Sequence, residues 1–130
     1  FTLAVKALEY MKKQSWGRII NVSTTSVQFG GLYNLHYTTS KAAMEAMMKG
    51  IAREGAEHNI LVNTIRPSLI DTPMPRKVPG YSEEKYRERE KMIPLGHAGE
   101  PSDVAGMVLY LASDYGKFIH GQTISVSGGE

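Results

Sequence analysis

The sequence contains no cysteine in its 130 residues. A disulfide framework and a thiolate metal site are therefore both excluded. The absence agrees with a reducing compartment, and we expect a cytoplasmic protein. The four histidines show no ligand spacing, so we predict no metal site either.

Long apolar runs and a strong charge of either sign are also missing. No apolar stretch approaches the ~20 residues of a membrane-spanning helix. The formal net charge is only +2, and the basic residues are scattered rather than gathered into a stripe. We therefore expect neither a membrane nor a nucleic acid as a partner. Hydrophobic residues make up 42% and charged residues 22%, which is typical of one globular domain.

A glycine-rich turn of the form Gly-x-Gly-x-x-Gly or Gly-x-x-x-Gly-x-Gly is absent as well. Such a turn, between a strand and a helix, receives the pyrophosphate of a dinucleotide. The pairs Gly30-Gly31 and Gly128-Gly129 stand in a different context. No complete dinucleotide site is therefore predicted within these residues.

Apolar periodicity predicts helices that alternate with strands. Helical spacing predicts helices at residues 1–14, 34–58 and 101–113, and a short charged helix starts at Ser82. Short apolar runs predict buried strands at residues 18–23, 60–65 and 122–127. This order favours an α/β fold in which helices pack on a parallel sheet.

The segment after the second predicted strand is rich in proline. Its prolines are Pro67, Pro73, Pro75 and Pro79, and they predict an extended loop over residues 66–81. Loops that follow strands often carry binding functions. We predict that this loop, with the residues up to 93, is a substrate lid. Its sequence does not identify the substrate.

Tyr37 and Lys41 stand four residues apart in a predicted helix and so share a face. An ammonium beside a phenol lowers the pKa of the tyrosine, which favours proton exchange with an alcohol or carbonyl. Hydroxyl groups of Thr24, Thr25 or Ser26, after the first predicted strand, are candidates to hold the same substrate oxygen.

The same spacing recurs at Tyr81 and Lys85. That copy lies in a charged stretch without a preceding apolar strand, and we interpret it as a solvated helix start. A bare Tyr-x-x-x-Lys pair is a weak signal, for which a structural role is the commoner explanation. The motifs around Tyr37 reverse that preference.

Six linked motifs run in order along nearly the whole chain. They read GRIINVST at 17–24, YTTSKAA at 37–43, ILVNTIRP at 60–67, IDTPM at 70–74, PLG followed by GEPSDVA at 94–105, and GQT at 121–123. Together they resemble the C-terminal half of a short-chain dehydrogenase/reductase, most closely the 3-oxoacyl-acyl-carrier-protein reductase group.

The resemblance implies the C-terminal half of a Rossmann-like, doubly wound parallel sheet, with three strands and flanking helices. Residues 1–130 would be the C-terminal portion of a single domain whose N-terminal dinucleotide-binding half is absent. It also implies NAD or NADP as the cofactor, with the preference set by the absent half.

The family's motifs imply roles for individual residues. Tyr37 would be the general acid/base, and Lys41 would hold the nicotinamide ribose. Thr24 occupies the position of the family's substrate-orienting serine, with Ser23 and Ser26 as nearby alternatives. The cofactor-binding residues implied are Tyr37, Lys41, Pro67, Ile70 through its backbone N–H, and Thr72 through its hydroxyl. Ser68 departs from the glycine that usually follows the proline in this family.

The leading hypothesis is an NAD(P)-dependent oxidoreductase that interconverts a small carbonyl compound and an alcohol, active only as the intact protein. The alternative is a non-catalytic fragment that acts in oligomerisation or binding. An isomerising or dehydrating relative with the same tyrosine and lysine is a third hypothesis. The helices at 1–14 and 34–58 resemble the family's dimer-forming pair, which implies a homo-oligomer.

Overall fold

The computed structural model describes residues 1–31, 34–77 and 80–130. Two residues of the predicted loops, Tyr33 and Pro79, lie outside this set. The helices are α1 (Thr2–Gln14), α2 (Ser26–Phe29), α3 (Leu35–Gly55), α4 (Pro73–Arg76), α5 (Glu83–Lys91) and α6 (Pro101–Ala112). The strands are β1 (Gly17–Val22), β2 (Ile60–Pro67) and β3 (Thr123–Val126), and 3₁₀ turns occupy Ala56–His58 and Asp114–Gly116.

The three strands form one parallel sheet in the order β1-β2-β3. Gly17 of β1 is level with Ile60 of β2, and Thr64 of β2 is level with Thr123 of β3. The predicted parallel α/β architecture is therefore confirmed. Because β2 is central, the carboxyl ends of β1 and β2 lie side by side, and the two segments that follow them meet there.

The main core lies between the sheet and two helices. Its buried side chains are Leu8 of α1, Met48, Ile51 and Ala52 of α3, and Ile60 and Val62 of β2. Side chains alternate along a strand, so Leu61, Asn63 and Ile65 face the opposite side. Helix α6 contacts all three strands and covers that side, with Leu111 fully buried.

Two polar side chains fasten the segment before β3 to β2. Asn63 donates to the Ile119 carbonyl at 2.8 Å and accepts from the Gln122 amide at 3.0 Å. His120 accepts from the Val62 amide at 3.1 Å through Nδ1, and its Nε2 lies 2.9 Å from the Ala52 carbonyl. Because Nδ1 accepts, Nε2 is the donor, so the His120 ring joins β2 to α3.

The structure differs from the predicted elements mainly at loops and ends. A helical turn, α2, interrupts the predicted loop after β1, and α4 begins at Pro73 inside the proline-rich loop. Helix α3 ends at Gly55 rather than at residue 58, because Asn59 adopts a left-handed conformation after a 3₁₀ turn. Asn34 occupies the predicted cap position of α3 but makes no side-chain capping bond.

Among residues 1–31, 34–77 and 80–130, no helix combines the length and the apolar character that crossing a membrane requires.

Candidate active site

Lys41 connects the start of α3 to the end of β1. Its Nζ donates to the carbonyl of Val22 at 2.7 Å and lies 5.7 Å from the centroid of the Tyr37 ring. Both side chains are half-buried. The two residues thus share a face of α3, as their spacing predicts, and that face meets the carboxyl edge of the sheet.

Thr24 lies two residues beyond β1 at the same edge. Its hydroxyl accepts from the Ser26 amide at 3.2 Å and donates to the Ser26 hydroxyl at 3.3 Å. The next residue, Thr25, donates its amide to the Pro67 carbonyl at 3.0 Å. The hydroxyl-bearing loop after β1 is therefore tied directly to the last residue of β2.

The predicted cofactor segment starts at the end of β2 and runs to Thr72. The backbone amide of Asp71 donates to the carbonyl of Gly99 at 2.7 Å, and the amide of Gly99 donates to the carbonyl of Leu69 at 3.0 Å. In this parallel bridge the N–H and C=O of Ile70 itself point away from Gly99. Within the described parts of the chain the Ile70 N–H has no hydrogen-bond partner, so it is open to a ligand.

The other two predicted cofactor residues differ in accessibility. Pro67 is buried, and its carbonyl is occupied by Thr25. Thr72 is half-buried at the N-cap of α4, in an extended conformation, and its side chain makes no capping bond. The Thr72 hydroxyl can therefore turn toward a ligand, whereas Pro67 can offer only its ring.

Arg76 of α4 fastens the proline-rich loop to α5. Its guanidinium donates to Asp71 at 2.5 Å and to Glu83 at 3.2 Å, and lies 4.1 Å from the centroid of the Tyr86 ring. The hydrogen bond from Arg76 holds the pKa of the Asp71 carboxyl below its usual value. Tyr86 is buried, and burial raises the pKa of its phenol. Ion pairs and a cation–π contact of Arg76 thus hold the predicted lid segment against α5.

An ion pair between the buried Glu45 and the half-buried Arg66 lies on the same face of α3 as Tyr37 and Lys41. Arg66 of β2 donates from Nε to Glu45 Oε1 at 2.8 Å and from its Nη2 to Oε2 at 2.5 Å. Sequence reasoning missed this pair. No local signal in the sequence indicates it, because Arg66 lies beyond the predicted end of β2 and Glu45 is 21 positions away along the chain.

Sequence reasoning also missed Glu130. Its carboxylate contacts the hydroxyls of Thr25 and Ser68 and the guanidinium of Arg89. These partners belong to the loop after β1, the segment after β2 and helix α5. Glu130 therefore gathers three segments that border the candidate site. The sequence carries no local signal for such a contact.

A cavity of about 270 Å³ lies beside Ser68 and Ile70. The segment before α6 also lines the cavity, through residues that include Leu95 and His97. In open parallel sheets, ligands bind in crevices outside the carboxyl ends of the strands. The cavity has that location.

The second Tyr-x-x-x-Lys copy has a different geometry. Tyr81 precedes α5, which starts after Ser82, and the Ser82 hydroxyl accepts from the Lys85 amide at 3.3 Å. Lys85 Nζ turns back to the Gly80 carbonyl at 2.8 Å. Tyr81 and Lys85 thus form a helix start, as predicted. In the part of the chain that the structure describes, no three His, Asp or Glu residues group as metal ligands.

The chain is similar in sequence to a family of reductases and to several of their characterised relatives. A family model described as enoyl-(acyl carrier protein) reductase matches residues 1–130. The chain is 38% identical over 129 residues to the 3-oxoacyl-acyl-carrier-protein reductase FabG of Aquifex aeolicus (strain VF5), covering 99% of this chain and 51% of that protein.

Two further relatives carry other names. The chain is 41% identical over 121 residues to the acetoacetyl-CoA reductase of Shinella zoogloeoides, covering 92% of this chain and 49% of that protein. It is 40% identical over 114 residues to the (3R)-3-hydroxyacyl-CoA dehydrogenase of Mus musculus, covering 87% and 42%. The chain spans about half the length of the curated relatives it matches.

Proposed function

The chain belongs to the short-chain dehydrogenase/reductase family, and we propose that the protein containing it reduces a carbonyl compound to an alcohol with NADH or NADPH, or catalyses the reverse oxidation. The observation that carries this proposal is the position of Tyr37 and Lys41. They share one face of α3, and Lys41 is anchored to Val22 at the carboxyl edge of the sheet.

Each side chain has a chemical task in this proposal. The Tyr37 phenol donates its proton to the carbonyl oxygen as the alcohol forms, and the Lys41 ammonium stabilises the phenolate that remains. The Thr24 hydroxyl donates a hydrogen bond to the same oxygen, where negative charge develops. To do so it turns away from Ser26, which it contacts at 3.3 Å.

The nicotinamide end of the cofactor fits the residues present. The Ile70 N–H has no partner in residues 1–31, 34–77 and 80–130, and the Thr72 hydroxyl makes no capping bond, so both suit a carboxamide. Lys41 suits the ribose hydroxyls. When bound, the nicotinamide supplies the hydride that reaches the carbonyl carbon.

The diphosphate of the cofactor needs a glycine-rich turn, and the glycine pairs of this chain do not form one. Gly128 and Gly129 have positive φ angles and form a tight turn packed against Ile93 and Pro94. A Cβ at Gly128 would lie 2.7 Å from Ile93, so this glycine serves close packing rather than phosphate binding. We propose that the diphosphate is held by a preceding half of the same domain.

The free edge of β1 supports that half-domain proposal. Within residues 1–31, 34–77 and 80–130, β1 pairs with β2 on one side and with no strand on the other. A bare strand edge is a template for pairing, so the open side of β1 suits a further strand from the preceding half.

For the substrate class we propose a 3-oxoacyl thioester. The named relatives act on 3-oxoacyl-acyl-carrier-protein, acetoacetyl-CoA and 3-hydroxyacyl-CoA, which share a carbonyl or hydroxyl at the third carbon. The name of the family model suggests reduction of an enoyl group instead. Substrates of the two kinds separate these candidates directly.

We also propose that the intact protein is a homo-oligomer that pairs through α1 and α3. Phe1, Leu3 and Tyr10 are 82%, 84% and 65% exposed on or beside α1, an unusual apolar surface for one helix. Met48 and Ile51 of α3 are buried in the core, so α3 would contribute its half-buried Met44 and Met47.

The test uses the intact protein with acetoacetyl-CoA or crotonyl-CoA, and with NADH or NADPH. We expect consumption of the reduced cofactor with acetoacetyl-CoA only. Tyr37→Phe should abolish turnover without changing the unfolding curve, because only the phenol oxygen and its proton are removed. Tyr81→Phe is the matched control and should be nearly silent. Equal losses in both variants, or turnover of crotonyl-CoA alone, would contradict the proposal.

A further inference from the structure

The ion pair between the buried Glu45 and the half-buried Arg66 lies one helical turn beyond Lys41. Glu45 follows Tyr37 and Lys41 at successive spacings of four, so the three side chains share one face of α3. Only 7% of the Glu45 side chain is exposed, and Arg66 grips both carboxylate oxygens. Hydrophobic residues of similar volume are often at least as stabilising as a buried ion pair, so stability alone does not explain this one.

The pair joins two elements that carry the candidate site. Glu45 belongs to the helix of Tyr37 and Lys41, whereas Arg66 directly precedes Pro67 and the segment to Thr72. A second tether from the same helix face is the 2.7 Å hydrogen bond from Lys41 to Val22 of β1. Two tethers to neighbouring strands fix both the rotation of α3 and its sliding along the sheet.

We propose that Glu45 and Arg66 are positioning residues for the proposed reaction. Their two-pronged ion pair sets where the Tyr37 phenol and the Lys41 ammonium stand relative to residues 67–72. The inference rests on the proposed function, because that reaction defines the geometry to be held. Neither side chain touches the reacting atoms.

The two parallel hydrogen bonds between Arg66 and Glu45 tolerate few substitutions. Glutamine at position 45 has the size of glutamate, but it replaces one acceptor oxygen by an NH₂ donor, which opposes the donors of Arg66. Lysine at position 66 keeps the charge but cannot form two parallel hydrogen bonds. Either change lets α3 shift against β2, and a misplacement of ~1 Å can lower a rate ~100-fold.

The experiment uses the intact protein with Glu45→Gln and Arg66→Lys. Glu54→Gln is the matched control, because Glu54 also lies on α3 and pairs with a lysine of another helix, Lys12, at 2.6 Å on the surface. Three quantities are measured per folded molecule: kcat, the KM for acetoacetyl-CoA, and the primary isotope effect with cofactor deuterated at the transferred hydride.

We expect kcat to fall ~10- to 100-fold in both test variants. The KM should change little, and the isotope effect should rise, because the hydride step becomes more rate-limiting. Glu54→Gln should match the wild type in all three quantities. A purely structural pair would only lower the folded fraction, so a wild-type kcat and isotope effect per folded molecule would overturn the inference.

A variant that fails to fold can be distinguished from a failure of the proposed function. If Glu45→Gln does not fold, Glu45→Asp keeps the charge but withdraws the carboxylate by one methylene, and the same shifts are expected. Wild-type values in that variant would overturn the positioning role. If the intact wild-type protein reduces no 3-oxoacyl thioester with either cofactor, the proposed function itself is overturned, and the positioning role with it.

Discussion

The ammonium of Lys41 donates a 2.7 Å hydrogen bond to the carbonyl of Val22, the last residue of β1. This contact holds a helix against the end of a strand with a side chain whose charge also faces the Tyr37 ring. One lysine therefore combines a structural anchor with an electrostatic task, and its removal should affect both.

Lys41→Ala in the intact protein should lower kcat by ~100-fold or more, because the phenolate of Tyr37 loses its neighbouring cation. The KM for the nicotinamide cofactor should rise as well, since the ribose loses a donor. Steady-state kinetics with varied cofactor measure both. Lys85→Ala is the control, because Lys85 also donates to a backbone carbonyl, that of Gly80 at 2.8 Å. A similar loss in both variants would contradict the assignment.

Thr24 is expected to be the working hydroxyl. Thr24→Ser should keep or raise kcat, because serine retains the hydroxyl and lacks the methyl group that restricts χ1. Thr24→Ala should raise the activation free energy by about 2.7–4 kcal/mol, the magnitude found when one oxyanion donor is lost. The comparison variant is Ser26→Ala, since Ser26 exchanges hydrogen bonds with Thr24. An inert Thr24→Ala with a damaged Ser26→Ala would transfer the role to Ser26.

Glu45 should make the stability of the intact protein depend on pH in the acid range. Burial raises the pKa of this carboxyl, but the hydrogen bonds and charge of Arg66 outweigh burial, so its folded-state pKa lies below the ordinary 4.5. Below 4.5 the unfolded state binds more protons than the folded state. The contribution of Glu45 is therefore complete above 4.5 and is lost as the pH falls through the folded-state pKa.

Urea unfolding at a series of pH values from ~6 to ~3 measures this dependence. Glu45→Gln should flatten the curve below 4.5, whereas Glu54→Gln, with its carboxyl 60% exposed, should leave it unchanged. An unaltered acid slope in Glu45→Gln would show that another carboxylate is responsible.

The sequence predicted those features that repeat along the chain or depend on neighbouring residues. The apolar run before Ser23 predicted β1 to within one residue at each end, and spacing put Tyr37 and Lys41 on one helical face. Two residues were missed at the end of β2, because Arg66 and Pro67 are not apolar. They belong to the strand because β3 pairs with them.

Features that depend on distant contacts were not predictable in this way. Arg66 meets Glu45 across 21 positions, and Glu130 meets Ser68 across 62. No local pattern encodes either distance. The four-residue helix α4 was missed because prolines favour loops, although Pro73 at a first helical position is compatible with a helix.

His120 should matter for stability although it lies outside the candidate site. In His120→Ala the buried Val62 amide loses its acceptor, whereas the Ala52 carbonyl still accepts from the Ala56 amide. We expect unfolding to become easier by about 1–3 kcal/mol in the intact protein, measured by urea denaturation. His36→Ala changes an exposed residue at the start of α3 and should stay within about 0.5 kcal/mol of the wild type. An equally small effect of His120→Ala would mean that water replaces both contacts.

The 130 residues in isolation should bind a nicotinamide cofactor only weakly. They retain the nicotinamide contacts from Lys41, Ile70 and Thr72, but no glycine-rich turn to hold the diphosphate. These few contacts must offset the entropy lost when the ligand and the loop are ordered. We expect no affinity for NAD(H) or NADP(H) below the millimolar range by calorimetric titration, and no reductase activity.

The same isolated chain should not remain a monomer. β1 pairs on one side only within the described residues, and a bare strand edge is a template for pairing with another chain. The exposed Phe1, Leu3 and Tyr10 add apolar surface to that tendency. Light scattering should therefore give a mass above that of one chain. Adding a charge at the edge, with Val22→Lys, should weaken association, whereas Leu109→Lys on α6 serves as the control. A monomer that binds cofactor at micromolar concentration would overturn the half-domain proposal.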